Sequence, residues 1–384
     1  MTNLLGITLD FLMLQDDKVR GDVRLRQIDY SKQLDFFNLI VYSSSYFGSK
    51  PQEWSDNLWI YPTNSKSKIN FVWDALKIGY QICKNKKINV ITAEDPFTTG
   101  LIGLLLKKRY KIPLNIQSHV DFCDNPYWVK QRKMNRFFNL LGKFILKRAD
   151  SIRVGTNYEK EKLARILRIN KDKISVIPVN SDLSKFKDVN GESIRKKYLN
   201  GRFDKILLFS GRLVPQKDIP TLLRAFQIIK QARSSTLLLI VGSGTQENFL
   251  KNLAQELQIQ DNLIFTGSIE HNKLPEYLAG CDVYTISSIF EGTCIAMAEA
   301  MASAKPVVAT KFAGAYDLIV NGQTGFTVSQ EDYETFADKV LYLLDNPDMA
   351  KTMGEKASKK AEEIFSDNQN IGKVIKMWEL TAKC

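Results

Sequence analysis

Two glutamates, Glu291 and Glu299, are separated by seven residues and form the strongest chemical signal in the sequence. They lie in residues 290–302, which read FEGTCIAMAEAMA. A helix beginning near Thr293 or Cys294 would present free N–H groups and a partial positive charge, which suits a diphosphate or a polar sugar. Glu299 would then lie on a small, apolar helix surface, where a lone carboxylate is costly to bury. A ribose diol would satisfy it; an exposed helix acid is the alternative.

A second loop, residues 210–218, carries two basic side chains between a predicted strand and a predicted helix. Gly211 allows the backbone to turn sharply. The planar guanidinium of Arg212 could donate two parallel hydrogen bonds to a diphosphate, and the compact ammonium of Lys217 could add a positive charge beside it. Such a pair would also neutralise a leaving nucleotide diphosphate without a metal ion. Two exposed basic residues in a loop are the alternative.

A third segment, Val241-Gly242-Ser243-Gly244, places a glycine-rich turn after a strand, where the backbone can approach a phosphate. It lacks the GxGxxG fingerprint, which disfavours a dinucleotide-dependent dehydrogenase. The five cysteines are far apart and show no CxxC spacing. We therefore expect reduced thiols in a cytoplasmic protein and no zinc site.

The elements that must position these residues alternate between short apolar strands and longer amphipathic stretches, which is typical of parallel sheets with helices on both faces. In the first half we predict strands over 4–9, 38–42, 89–92, 114–118, 151–154 and 174–178, and helices over 70–85, 98–109, 129–148 and 158–167. In the second half we predict strands over 205–210, 236–241, 262–266, 283–286, 306–310 and 325–328, and helices over 220–232, 246–257, 274–279, 294–303, 333–346 and 349–365. The second half has a Rossmann-like order of elements.

The length of 384 residues suits two domains rather than one core. Residues 184–204 are polar and weakly periodic and contain two Asn-Gly turn signals. We therefore predict an N-terminal Rossmann-like domain over 1–183, a linker over 184–204 and a C-terminal Rossmann-like domain over 205–366. A last helix is predicted over 368–380, within a final segment 367–384.

The formal net charge of +12 is unevenly placed: residues 1–182 hold 30 basic and 18 acidic residues, and the remainder holds 24 of each. This excess indicates an anionic partner, such as a membrane surface, a phosphorylated acceptor or a nucleic acid. A solvated, lysine-rich surface is the alternative. Aromatic residues are not interleaved with the basic ones as a stacking platform requires, which disfavours nucleic acid.

Residues 128–148, which read WVKQRKMNRFFNLLGKFILKR, are basic and place apolar side chains at helical spacings. One interpretation is a helix packed on the core with a basic face in water. The other is an amphipathic helix in a membrane interface, which would suit an anionic lipid or a lipid-linked diphosphate acceptor. The sequence contains no run of about 18 apolar residues that predicts a spanning helix, and its N-terminus lacks the basic flank of a signal peptide.

Taken together, the second-half segments resemble the family 4 retaining glycosyltransferases, most strongly over residues 205–328. Four pieces occur in the family's order: Gly211-Arg212-Leu213 with Lys217, the Gly242-Ser243-Gly244 turn, the strand ending in Thr266-Gly267, and the Glu291…Glu299 pair. The resemblance implies a GT-B fold, with two Rossmann-like domains, a donor and acceptor cleft between them, and a last helix that crosses back to the N-terminal domain.

The resemblance also implies roles for individual residues. Arg212 and Lys217 would hold the donor diphosphate, Glu299 the ribose and Glu291 the transferred sugar. His119 would reach the donor sugar from the other domain, with a structural histidine as the alternative, whereas His271 is interpreted as a surface residue. The implied donor-binding set is Gly211, Arg212, Lys217, Gly242, Gly267, Ile269, Glu291, Gly292, Thr293, Cys294, Ile295 and Glu299, and the implied catalytic set is Glu291, His119, Arg212 and Lys217.

The sequence departs from the family pattern at four loops. The Gly-Gly loop after the first strand is represented by Gly21 alone, and the usual Phe-Gly after Glu-Gly is Thr293-Cys294. Asn180-Ser181-Asp182 lacks the customary glycine, and the late Gly-Gly-x-x-Glu turn reads Ala313-Gly314-Ala315-Tyr316-Asp317. These departures bear on the donor sugar and the acceptor rather than on the diphosphate site.

The implied activity is retaining, metal-independent transfer of a sugar from a nucleotide-diphosphate sugar to a glycan or lipid-linked acceptor, without a cofactor, in cell-envelope polysaccharide or glycolipid assembly. The expected location is the cytoplasm, including the inner face of the membrane, and we favour front-face substitution. The main alternative is a non-catalytic nucleotide-sugar-binding subunit derived from a transferase. An epimerase is disfavoured by the glutamate spacing, and a phosphorylase would need a pyridoxal-phosphate lysine.

Overall fold

The computed structural model describes residues 2–14, 23–179, 181–365 and 367–384. The chain forms two compact units, Met1–Asn180 with Asp367–Cys384 (unit 1) and Ser181–Ser366 (unit 2). Each unit has its own largely parallel sheet covered by helices on both faces. The predicted α/β class with two Rossmann-like domains is therefore confirmed. No helix in the described ranges is long and apolar enough to cross a membrane.

Unit 1 is built on an eight-stranded sheet in the order β3-β4-β2-β1-β5-β6-β7-β8, in which only β3 is antiparallel to its neighbour. The strands are β1 Asn3–Thr8, β2 Phe36–Val41, β3 Gln52–Ser55, β4 Leu58–Pro62, β5 Val90–Ala93, β6 Leu114–Ser118, β7 Ser151–Val154 and β8 Ile174–Val176. The helices are α1 Val23–Ser31, α2 Lys68–Asn85, α3 Thr98–Tyr110, α4 Pro126–Gln131, α5 Lys133–Leu146, α6 Asn157–Leu167 and, at the end of the chain, α15 Asp367–Thr381.

Two hydrophobic clusters cover the two faces of this sheet. One contains residues of α2, α3, α5 and α6, and the other residues of α1 and α15. In the second cluster Trp378 is fully buried, packs edge-on against Tyr30 and donates a hydrogen bond from its indole nitrogen to Asn115 (3.2 Å). The last helix is thus an integral part of unit 1.

Unit 2 is built on a six-stranded, fully parallel sheet in the order β11-β10-β9-β12-β13-β14. Its strands are β9 Lys205–Ser210, β10 Thr236–Val241, β11 Leu263–Gly267, β12 Val283–Ile286, β13 Val307–Thr310 and β14 Phe326–Val328. Its helices are α7 Glu192–Leu199, α8 Ile219–Ala232, α9 Glu247–Glu256, α10 Leu274–Gly280, α11 Ile295–Ala302, α12 Ala313–Leu318, α13 Tyr333–Asp345 and α14 Pro347–Phe365. Continuous apolar runs such as TLLLIV in β10 are buried on both faces, as expected of a covered parallel sheet.

The predicted linker over 184–204 is corrected by the structure. It contains a 3₁₀ turn, Leu183–Phe186, and helix α7, and both pack on the core of unit 2. Phe186, Ile194 and Tyr198 are buried there. The sequence of this segment is mostly polar because only a few of its residues face the core. These few are too widely spaced to produce a clear helical periodicity of apolar residues.

The predicted single helix over 129–148 is also corrected, because it is broken at Arg132 into α4 and α5. Ile145 and Leu146 of α5 are buried in a hydrophobic cluster of unit 1, so the helix packs on the core as one of the two interpretations expects, but its apolar surface is only partly covered. Phe137 and Phe144 are exposed, whereas Asn135 and Asn139 are buried. The first two turns of α5 therefore bury polar side chains, and part of the helix's apolar surface faces solvent.

Candidate active site

The strand order of unit 2 locates a crevice. In an open parallel sheet, ligands bind at the carboxyl ends of the strands, at the switch point where the strand order reverses. From β9 the chain first moves outward to β10 and β11, and then returns to form β12 on the other side of β9. The loops that follow β9 and β12 therefore diverge at the carboxyl edge of the sheet. Gly211 and Arg212 follow β9, and Ser287 and Ser288 follow β12. Loop 210–218 and the segment that leads to Glu291 therefore meet at the switch point.

A buried ion pair joins the two loops. Lys217 ends a 3₁₀ turn, Pro215–Lys217, and its Nζ lies 2.5 Å from Oε1 of Glu291. Ser288 donates a second hydrogen bond to the same carboxylate oxygen (3.1 Å). Lys217 and Glu291 keep only 10% and 14% of their side-chain surface exposed. Burial alone would lower the pKa of Lys217, but the Glu291 carboxylate outweighs it, and the pKa is raised.

Backbone contacts reinforce this connection between the loops. The Ser287 hydroxyl donates to the Lys217 carbonyl oxygen (2.9 Å), and the Ile289 N–H donates to the Gln216 carbonyl oxygen (2.9 Å). The Gln216 amide in turn donates to the Phe290 carbonyl oxygen (2.7 Å). The ammonium of Lys217 is therefore held in place by several local contacts, as a preorganised charge requires.

The glycines of the Val241–Gly244 turn allow close packing of neighbouring loops. Gly242 has a φ of +133°, and a Cβ there would lie 2.0 Å from the Gly211 carbonyl oxygen. A Cβ on Gly244 would lie 2.3 Å from the Leu213 carbonyl oxygen. Gly242 also donates its N–H to the Gly267 carbonyl oxygen (2.9 Å). These glycines let three consecutive loops pack backbone to backbone and so shape the loop that carries Arg212.

Helix α11 begins directly after the Glu-Gly segment, as predicted. Its first residue is Ile295, and Cys294 precedes it in the left-handed conformation, with φ 53° and ψ 74°. The Cys294 thiol is buried, and burial together with the nearby Glu291 raises its pKa to about 12. This cysteine is therefore an unreactive thiol.

Helix α12 packs tightly against the Glu-Gly segment, because a Cβ on Gly314 would lie 2.5 Å from the Gly292 carbonyl oxygen.

Glu299 is buried on α11, with 4% of its surface exposed. The structure gives this carboxylate a partner that the sequence did not reveal, because Nε2 of His271 lies 3.0 Å from its Oε1. The His271 side chain is 47% exposed, so its interpretation as a surface residue is correct but incomplete. It lies in the 3₁₀ turn His271–Lys273 that follows β11, close to the loop of Gly267 and Ile269.

The remaining predicted residues have other surroundings. Arg212 is exposed, and its guanidinium makes no ion pair within the described ranges. Gly21 lies outside the described residues. His119 belongs to unit 1, where it lines a cavity of about 240 Å³ together with Arg153, Glu94 and Gln117. Arg153 is buried there and donates to the carbonyl oxygens of Ile177 and Pro178 and to the Gln117 side-chain oxygen.

Several residues of this site carry no recognisable sequence signal. Ser287 and Ser288 follow a strand as many serines do, and His271 is 28 residues away from the glutamate it contacts. Gly314 lies in the turn already compared with the family pattern, but that comparison did not indicate its contact with the Gly292 carbonyl oxygen. Only their contacts in the folded chain identify them.

Sequence models of two protein families match consecutive parts of the chain. The model described as Glycosyltransferase Family 4 matches residues 36–184, and the model described as Glycosyl transferases group 1 matches residues 190–360. Together the two models span most of units 1 and 2.

Curated relatives are similar at moderate identity. The alpha-monoglucosyldiacylglycerol synthase of Streptococcus pneumoniae is 26% identical over 304 residues, which are 77% of this chain and 68% of the relative. The UDP-Gal:alpha-D-GlcNAc-diphosphoundecaprenol alpha-1,3-galactosyltransferase of Escherichia coli is 25% identical over 272 residues, which are 70% of this chain and 69% of the relative.

Solved structures share the fold at lower identity. Sucrose-phosphate synthase from Thermosynechococcus elongatus superposes with a TM-score of 0.84 at 18% identity, covering 100% of both chains. Anabaena HepE, solved in complex with UDP-glucose, superposes with a TM-score of 0.75 at 18% identity, covering 98% of this chain and 100% of that one.

Proposed function

The chain belongs to the group 1 and family 4 glycosyltransferases, and we propose that it transfers a sugar from a nucleotide-diphosphate sugar with retention of anomeric configuration. The observation that carries this proposal is the buried Lys217–Glu291 pair at the switch point of unit 2, beside the N-terminus of α11. A buried ion pair adds little net stability, and charged groups held in a crevice are candidates for a functional site.

The donor roles follow from charge and position. Lys217, Arg212 and the first N–H groups of α11 supply positive charge for the diphosphate, and Glu291 accepts hydrogen bonds from sugar hydroxyls. Glu299 accepts hydrogen bonds from the ribose, and Gly267 and Ile269 border the base. His119 is proposed as a catalytic residue on the family resemblance alone.

We further propose that transfer needs no metal ion. The leaving diphosphate develops negative charge as the glycosidic bond breaks, and Lys217, Arg212 and the helix N-terminus stabilise that charge. The leaving phosphate oxygen then helps to remove the proton of the attacking acceptor hydroxyl on the same face, which accounts for retention. Losing one such contact typically costs on the order of 10²–10³ in rate.

The proposed acceptor is a glycan or a lipid-linked molecule of the cell envelope, met at an anionic membrane surface on the cytoplasmic side. The support is the concentration of excess positive charge in residues 1–182. The names of two relatives also point this way, since they refer to a diacylglycerol lipid and to a diphosphoundecaprenol acceptor.

A binding experiment tests the donor site. We expect one of UDP, GDP and ADP to raise the thermal stability of the wild-type protein, by roughly 2.7 kcal/mol at a concentration of 100 Kd. Arg212→Ala should weaken nucleotide affinity at least about tenfold, which at the same concentration roughly halves the stabilisation, and it should leave folding unaffected because Arg212 is exposed. Lys217→Ala should abolish it, and Lys356→Ala, at an exposed position of α14, should leave it unchanged.

An activity assay with the sugar donors of the nucleotide that binds separates the enzyme from its main alternative. A protein that binds the nucleotide but neither transfers nor hydrolyses any sugar from the matching donors would be a non-catalytic nucleotide-sugar-binding subunit. A protein that binds none of the three nucleotides would contradict the donor site itself.

A further inference from the structure

Helix α5 presents an exposed apolar face. Four large side chains on this face remain open to solvent in the folded chain: Met134 (58%), Phe137 (58%), Leu140 (65%) and Phe144 (44%). They recur at intervals of three and four residues and so form one stripe along the helix. Contiguous exposed apolar surface of this kind typically marks an interaction site.

The helix cannot rotate to bury this stripe, because its opposite side is fixed by polar contacts. The Asn135 amide donates to the Trp128 carbonyl oxygen (2.6 Å), and Asn139 exchanges hydrogen bonds with the backbone and side chain of Asp124. A Cβ on Gly142 would lie 2.6 Å from the Phe122 ring, so the helix also fits closely there. The outward direction of the phenylalanines is therefore built into the fold.

Basic side chains surround the apolar stripe. Residues 126–148 contain seven basic residues and no acidic one. The Arg148 guanidinium lies 3.6 Å from the centre of the Phe144 ring, and Lys143 is neutralised by Asp124. Lys133, Arg136 and Lys147 are exposed. A stripe of aromatic and aliphatic groups flanked by cations matches a surface that is anionic outside and apolar beneath.

We propose that α5 docks unit 1 onto an anionic lipid bilayer. Met134, Phe137, Leu140 and Phe144 enter the boundary between headgroups and acyl chains, and the flanking lysines and arginines bind the headgroups. This inference names the surface that would serve the proposed lipid-linked acceptor. Its test uses no sugar or nucleotide, so it can fail independently of the proposed function.

Flotation of the full chain with vesicles tests the proposal. We expect the protein to float with vesicles of phosphatidylcholine and phosphatidylglycerol, to float weakly with phosphatidylcholine alone, and to be released by salt. Phe137→Gln with Leu140→Gln should reduce vesicle binding at least about tenfold, and Lys133→Gln with Arg136→Gln should reduce it to a similar extent.

Matched controls come from exposed positions of unit 2. Phe249→Gln removes a phenylalanine of α9 that is 54% exposed, similar to Phe137, and Lys351→Gln with Lys356→Gln removes two exposed charges from α14; both variants should float like the wild type. No flotation of the wild type at low salt would overturn the proposal. It would also be overturned if the Phe137 and Leu140 changes only dissociated an oligomer in sedimentation, which would identify an interface between copies.

A second inference rests on a different observation, the contact between His271 and Glu299. Glu299 is buried on α11, and its Oε1 lies 3.0 Å from Nε2 of an otherwise exposed histidine. The His271 ring also packs edge-on against Phe186, with ring centres 5.9 Å apart. The ring is therefore held between a core residue and the carboxylate.

We infer that His271 is a positioning residue for donor binding: it holds one oxygen of Glu299 and so orients the other toward the ribose. This inference rests on the proposed function. A buried carboxylate that loses a hydrogen bond relaxes toward another partner or takes up a proton, and either change weakens its contact with a diol.

Two substitutions separate the hydrogen bond from ring packing. His271→Phe keeps a ring against Phe186 but has no donor, and we expect it to raise the donor KM about tenfold with little change in kcat. His271→Gln retains an N–H donor and should restore much of the affinity. A His271→Phe variant with wild-type KM would overturn the inference, whereas a wild type that binds no nucleotide would overturn the proposed function and this role together.

Discussion

At the scale of single residues, Cys294 occupies a backbone conformation that suits glycine. Its φ of 53° lies in the left-handed region, directly before α11. The related family usually has Phe-Gly where this chain has Thr293-Cys294, so the fold keeps the glycine geometry without the glycine. A side chain in this conformation costs about 1–2 kcal/mol.

This geometry predicts an inverted order of stability for two substitutions. Cys294→Ala and Cys294→Gly both remove the buried thiol, but only glycine also releases the backbone strain. We expect Cys294→Gly to be more stable than Cys294→Ala by about 1 kcal/mol in urea denaturation. The usual order, with alanine the more stable, would show that the segment relaxes out of the left-handed region.

Glu159 provides a pH-dependent prediction. It lies in the first turn of α6, where Thr156 and Glu159 form reciprocal capping contacts. One of its carboxylate oxygens is buried and has no hydrogen-bond partner among the described residues. Burial, together with the nearby Asp121, raises the pKa of Glu159 from its ordinary value of 4.5 to about 8. The folded state therefore retains a proton that the unfolded state has already lost.

Between these two pKa values stability should fall as pH rises, by up to about 1.4 kcal/mol per pH unit from this group. Glu159→Gln removes the titration, so its stability advantage over the wild type should grow from pH 5 to pH 8 in urea denaturation. A difference that stays constant with pH would mean that Glu159 ionises normally in the folded protein.

Much of the candidate site could be predicted residue by residue, but its contacts could not. Lys217, Glu291 and Glu299 each have a type and a neighbourhood that indicate donor chemistry. The direct pairing of Lys217 with Glu291 depends on the strand order, which brings together residues 74 positions apart. The partner of Glu299 was missed because an isolated histidine in a turn has no periodicity or motif.

At the scale of elements, the buried parallel strands were the easiest to predict. β6, β7, β9, β10 and β12 have the predicted bounds, because each is a short apolar run between turns. The β3–β4 hairpin was missed, since β3 is a polar edge strand with little burial and β4 ends in proline. The helices α1, α7 and α12 were missed because they are short; α1 and α7 also bury only a few of their residues, whereas α12 is mostly buried.

Helix α15 carries a prediction at this scale. Trp378 fills the cluster between α15 and the sheet and is 1% exposed. Trp378→Ala should destabilise unit 1 by about 3–5 kcal/mol, because a large cavity forms and Asn115 loses a hydrogen-bond donor. Leu380→Ala, at a 56% exposed position of the same helix, should change stability by less than about 0.5 kcal/mol. Urea denaturation followed by tryptophan fluorescence and circular dichroism compares the two.

At the scale of the whole molecule, the two units have separate hydrophobic clusters. The cluster of unit 2 contains none of the residues that form the two clusters of unit 1. Separate cores favour separate unfolding transitions.

We therefore expect two transitions in scanning calorimetry, each responding to a different change. The nucleotide that binds the donor site should raise only the transition of unit 2. Trp378→Ala should lower only the transition of unit 1. A single transition moved by both the nucleotide and the substitution would show that the units unfold as one.

The place of α15 in unit 1 has a consequence for biosynthesis. The sheet face lined by Leu4, Phe37 and Leu39 is covered in part by a helix that leaves the ribosome only after all of unit 2. At 5–20 residues per second, the intervening 181–366 segment takes roughly 10–40 s to synthesise. Unit 2 is continuous in sequence and can complete its core first, so the second unit to emerge is the first to finish folding.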